Sequence, residues 1–138
     1  MNFIVKGIFL FLLSFLVTEK TLFAQTEYRL RTKSSSVAWK DDSGKWSKWS
    51  DRTESNYLVA INYKKGTISI YSPTLQQYDI ISTDKEWKDE LGYINQPIKC
   101  LDISGRTCTV TEVFINDFLQ QLIIAWDGHM LAYTISQD

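Results

Sequence analysis

The chain has 138 residues, 15 Lys and Arg against 16 Asp and Glu, a formal net charge of −1 and 44% hydrophobic residues. That length suits one domain, and the near balance of charge excludes a general nucleic-acid or anionic-membrane surface. No internal repeat, low-complexity tract or interdomain linker divides it.

Residues 1–24 read as a cleavable secretory signal peptide. Lys6 precedes an apolar run, Ile8–Val17, broken only by Ser14, and Ala24 offers a small residue at the cut. Ten such residues are too few to span a bilayer as a helix. Cleavage leaves a single domain, 25–138, with 13 of the 15 basic and 15 of the 16 acidic residues, a net charge of −2. Phe114 and Phe118 are the phenylalanines that survive, beside five tryptophans and seven tyrosines. The expected product is exported, periplasmic or extracellular, with no integral membrane segment after cleavage. A domain of that size buries about two-thirds of its unfolded surface, so neither a metal nor a disulfide scaffold is obligatory.

From residue 27 onward, short runs rich in Tyr, Ile, Val, Thr and Trp alternate with turn residues, the pattern of an all-β sandwich or barrel. Strands are expected near 27–32, 36–40, 45–50, 57–63, 67–72, 76–82, 98–102, 106–115, 119–126 and 129–136. Asp41-Asp42-Ser43-Gly44 lacks the spaced ligands and closing Glu of a calcium loop and reads as a hairpin turn. The next segment is the most unusual one. Trp46-Ser47-Lys48-Trp49-Ser50 repeats Trp-Ser at a spacing of three. In a regular strand the two indoles point to opposite faces. In a polyproline-II stretch Trp46, Trp49 and Arg52 share one side, where Arg52 or Lys40 can layer on an indole face. These three residues form a candidate aromatic platform for a sugar or peptide. The alternative is one indole in the core and one covering a barrel end.

Between 57 and 82 the apolar alternation predicts a meander, with Tyr63 opposite Ile68, Ile61 opposite Ile70, Ile70 opposite Tyr78 and Ile68 opposite Ile80. Thr83-Asp84-Lys85-Glu86 has capping-box spacing and Gly92 sits where a helix would stop. Residues 83–91 therefore read as a two-turn helix or a structured loop. Asp102-Ile103-Ser104-Gly105 suits a three-residue hairpin loop that sets Cys100 opposite Cys108 and Ile98 opposite Val110. Facing cysteines in an exported chain predict a Cys100–Cys108 disulfide. The same register places Glu112 on the apolar face with Cys108, Val110 and Phe114, where it either faces a ligand cavity or is turned outward by a bulge. Finally, Asp127-Gly128 is a type I′ turn signal that pairs Trp126 with His129, Ile124 with Leu131 and Leu122 with Tyr133. The other face of this hairpin, Ile123, Ala125, Met130 and Ala132, is also apolar and needs a cover or a partner.

Strands joined this way favour an antiparallel meander forming an up-and-down barrel or a strongly curled sheet. Across most of residues 27–136 the chain resembles small secreted lipocalin-like β-barrel proteins of Gram-negative bacteria. The resemblance rests on Trp46-Ser47-Lys48-Trp49-Ser50-Asp51, on Ile68-Ser69-Ile70-Tyr71-Ser72 and on the run from Cys100 to Cys108. Val37-Ala38-Trp39 lacks the glycine of the lipocalin Gly-x-Trp motif, so the resemblance implies fold more than activity.

Catalytic patterns are missing from the sequence. His129 is the single histidine, beside a turn, and a Ser-His-Asp or Cys-His site would have to use it. Too few His and Cys occur for a clustered metal site, and no phosphate-binding glycine motif is present. No metal or cofactor is expected. The reading that follows is a non-catalytic binding module for a small molecule, glycan or protein, with candidate ligand-binding residues Trp46, Trp49, Arg52 and Glu112. The alternative is a hydrolytic or other enzyme using a carboxylate or hydroxyl site that no motif reveals.

Overall fold

A computed structural model describes residues 27–137; the expected signal peptide lies outside the described residues. Ten strands form one antiparallel sheet: β1 (Glu27–Trp39), β2 (Thr53–Glu54), β3 (Leu58–Asn62), β4 (Thr67–Tyr71), β5 (Leu75–Thr83), β6 (Trp87–Lys88), β7 (Ile94–Leu101), β8 (Thr107–Ile115), β9 (Phe118–Ala125) and β10 (His129–Ile135). Eight of them close a barrel in the order β1-β3-β4-β5-β7-β8-β9-β10, because β10 returns to pair with β1. β2 and β6 are short additions to β1 and β7. The expected barrel is therefore the observed fold.

An eight-stranded barrel is just wide enough inside for side chains to fill it, and this one is filled. Val59, Ile70, Ile98, Val110 and Ile124, each from a different strand, are wholly or almost wholly buried in one contiguous cluster. Alternation along each strand sends one residue in two to that cluster. Bulges at Lys33 in β1, near Ile81 in β5 and at Gln120 in β9, opposite Val113/Phe114, let the strands bend into closure.

Several registers match expectation. Cys100 faces Cys108, Ile98 faces Val110, Ile124 faces Leu131 and Leu122 faces Tyr133. The two hairpins of the meander slip by two residues instead: Ile68 lies opposite Ile61 and Tyr78, and Ile70 opposite Val59 and Gln76. A slip of two keeps every side chain on its face, so hydrophobic pattern cannot detect it; turn chemistry decides. Asn62 Oδ1 accepts the Lys65 N–H at 2.9 Å and Gly66 takes φ +71°, which makes a four-residue turn. Ser72-Pro73-Thr74 closes the other hairpin, with Ser72 Oγ bonded to Thr74 O.

The helix over 83–91 does not form. Trp87 and Lys88 pair with Asn95 and Ile94, and Asp89 caps a hairpin turn through Leu91 N–H at 3.0 Å and Tyr93 N–H at 2.9 Å. Gly92, at φ +89°, closes that turn instead of stopping a helix. The expected strand at 45–50 is likewise irregular, and 27–32 and 36–40 fuse into one long β1.

The expected disulfide is also corrected: Cys100 and Cys108 are buried, opposite each other and not bonded. Asp102 N–H donates to Arg106 O at 2.8 Å two positions along, which makes Cys100/Cys108 a hydrogen-bonded pair in the alternating ladder. Cβ atoms at such positions lie about 5.5 Å apart, beyond the roughly 3.5–4.5 Å that a disulfide needs. Burial, the largest cause in each, pushes the Cys100 thiol up to about 12 and Cys108 to about 11. The folded protein at pH 8 should accordingly alkylate at least about a hundredfold more slowly than the unfolded chain. Mass spectrometry after iodoacetamide, with and without urea, checks this.

Candidate functional site

The Trp-Ser segment runs back along the edge of β1 as the second arm of a hairpin whose turn is Asp41–Gly44. Ser47 N–H donates to Trp39 O at 2.7 Å while Ser47 Oγ accepts the Trp39 N–H at 2.9 Å. Ser50 does the same with Val37, at 2.8 and 2.9 Å. Each hydroxyl replaces a backbone carbonyl in the ladder. Three residues of this arm therefore match two residues of β1, which explains the spacing of the repeat.

Neither indole is in the core. Trp46 is half-buried with the Lys40 ammonium 5.3 Å from its ring centroid, and Trp49 is exposed. Trp49 and Arg52 do share one side, in a small groove with Ser36, Ile123 and Ala132. There the arm covers part of the outer apolar face of the C-terminal hairpin, leaving Ala38 and Ala132 buried. The structure thus brings Trp49 to Arg52 and leaves Trp46 apart. Glu112 lines a different recess.

A better-formed site opens at the barrel mouth nearest the β7–β8 and β9–β10 turns, a cavity of about 280 Å³. Tyr78 and Trp126 line it, and the exposed side chains of Trp39, Leu75 and Ile103 rim it. One buried carboxylate organises the floor. Asp102 accepts from Ser104 N at 3.0 Å, Arg106 N at 2.8 Å, Arg106 Nε at 3.0 Å and the Trp126 indole Nε1 at 3.0 Å. Burial alone would raise its pKa; the hydrogen bonds from Arg106 and Trp126 outweigh it and hold the carboxyl below its ordinary value. Behind it, Tyr78 Oη donates to Gln76 Oε1 at 2.6 Å and Gln76 Nε2 donates to Tyr133 Oη at 2.7 Å.

His129 stacks on Trp126 at 4.5 Å and 10°, with the Arg106 guanidinium 5.8 Å from the same indole. The stack places the histidine as a packing residue. His129→Ala should lower stability by only about 0.5–1 kcal/mol, read from urea unfolding.

At the opposite mouth Glu112 points inward and is only 2% exposed. Tyr63 Oη donates to its Oε2 at 2.5 Å. Burial raises the Glu112 pKa, and the Tyr63 hydrogen bond offsets part of that rise. Burial, then the neighbouring Glu112 charge, drives the Tyr63 phenol upward too, so it stays a donor.

Trp39, Trp126, Asp102 and Arg106 were not among the expected site residues; the pairing of Trp126 with His129 was the one signal pointing there. Comparison with family models, with curated proteins and with solved structures finds no match for this chain.

Proposed function

We propose that the protein is an exported, lipocalin-like binding module that takes an apolar or aromatic group of its ligand into the mouth rimmed by Trp39, Leu75 and Ile103. The observation that carries this reading is a concave, largely apolar opening above a filled barrel, with a few fixed polar groups at its floor. A packed lumen leaves the mouth, and not the interior, for a ligand. At this mouth Asp102 already accepts from four donors and His129 stacks on Trp126, which supports a binding role over a catalytic one.

The fluorescent probe anilinonaphthalene sulfonate, apolar with one anionic group, tests the location. It should bind the folded protein saturably, and Trp39→Ala should weaken binding about tenfold or more, because Trp39 stands 57% exposed at the rim and outside the core. Trp46→Ala should leave binding unchanged. Equal binding by wild type and Trp39→Ala, with circular dichroism preserved, would sink this placement. Native mass spectrometry of protein from its own host then identifies what the mouth retains.

A further inference from the structure

We infer that the second mouth, beside Glu112, is a binding site for a small organic cation, an amine or quaternary ammonium head. The cavity measures about 350 Å³, and no Lys, Arg or His is among its lining residues. Glu112 stands within it as a buried carboxylate, and Asp117 lines the same cavity from the β8–β9 turn. The walls are aromatic: Tyr28, Tyr63, Phe114 and Phe118. Tyr28 and Tyr63 meet edge to face at 5.9 Å, while Phe118 is 64% exposed.

Three physical facts converge on a cation. Ring faces attract a positive charge, most strongly where it is desolvated, which is how aromatic cages recognise ammonium heads. A carboxylate kept from water with a phenol as its hydrogen-bond donor is stabilised further by an entering positive charge. Exposed aromatic side chains around a recess leave room for an organic group, which a bare metal ion would not fill. Among the described residues no group of three His, Cys, Asp or Glu gathers to hold a metal.

The turn supplies a useful variant. Asn116 and Asp117 both adopt positive φ, +50° and +68°, the conformation of a type I′ turn, where glycine is preferred at the second position. Asp117→Gly keeps the turn and removes the charge.

Titration of the labelled full-length exported protein with choline, with butylammonium and with the neutral choline isostere 3,3-dimethylbutanol, read by amide chemical shifts at Glu112 and Phe118, is the test. At least one of the two cations should bind saturably and the isostere at least about tenfold more weakly. Glu112→Gln, which preserves side-chain volume and an acceptor for Tyr63, should weaken the cation about tenfold or more, and Asp117→Gly about twofold to threefold. Circular dichroism checks that both variants retain the fold, so that loss of binding reports on charge. Absence of saturable shifts with either cation, equal binding of the isostere, or undiminished binding by Glu112→Gln would each overturn the assignment. None of these outcomes bears on the Trp39 mouth, which is tested with a different probe.

Discussion

Asp102→Ala should lower unfolding stability by about 2–3 kcal/mol, while Asp102→Asn should lose less. Hydrogen bonds to a charged group contribute about 1.5–3 kcal/mol each, and deleting the acceptor strands every donor that used it. Here two backbone N–H groups, the Arg106 guanidinium and the Trp126 indole are stranded together. Arg106 is largely exposed and water readily replaces its partner, so the ion pair adds little; the backbone and indole donors dominate the loss. The sign with pH follows from the lowered pKa. A carboxyl depressed in the folded state contributes stability that is fully present above its unfolded value and disappears as pH falls through the folded one. Wild type and Asp102→Ala should therefore differ most at neutral pH and converge in strong acid, which urea titrations at a series of pH values would read.

The Asp102 turn is one of three with the same construction. Asp41, Asp89 and Asp102 each accept the N–H groups two and four residues on through Oδ1. Each is followed at the third position by a glycine at φ +85°, +89° or +82°. Two were legible as hairpin turns from Asp-x-x-Gly alone. The third, Asp89-Glu90-Leu91-Gly92, reads either as the end of a helix or as a structured loop, because capping-box spacing at Thr83 and a glycine nine residues on also fit a helix. Aspartate that bonds its own backbone competes with helix, and β7 offers Trp87 and Lys88 an edge to pair with; neither influence shows in a propensity count. Strand faces were legible for a similar local reason, since burial has period two, whereas registers that differ by two look identical until a turn residue such as Asn62 is placed.

For the sites, the tryptophans were visible but not their roles. Trp46 and Trp49 drew attention through a repeat whose working residues are Ser47 and Ser50, as acceptors for β1. Trp39 ends a strand in sequence and stands at a mouth only because three separate turns assemble around it, a consequence of closure by β10. Asp102 reaches Trp126 across 24 residues of sequence separation and holds Arg106 beside it. Glu112 was different. An acidic residue in phase with Cys108 and Val110 is a local conflict with the core, and such conflicts tend to mark function; its partner Tyr63 comes from the β3–β4 turn, 49 residues away, which only the folded barrel brings near it.

That conflict has a measurable size. Glu112→Gln should stabilise the protein by about 1–2 kcal/mol at neutral pH. Holding a carboxylate out of water costs several kcal/mol after relaxation, and a single hydrogen bond to a charged group returns roughly 1.5–3 kcal/mol, so a net penalty remains that the neutral amide avoids. Because burial raises the Glu112 pKa in the folded state, the folded protein binds a proton that the unfolded chain has already released. Stability should therefore fall as pH rises from the unfolded pKa through the folded one, the reverse of the Asp102 slope. Wild type and Glu112→Gln should converge at acid pH, separate through that window and keep a constant gap above it. Chemical unfolding across the range would show this, and a variant equally stable at every pH would mean that the carboxyl has the same pKa folded and unfolded, as a well-solvated group does. A gain in stability joined to loss of cation binding in the same variant would identify Glu112 as a residue retained for its charge at a cost to the fold.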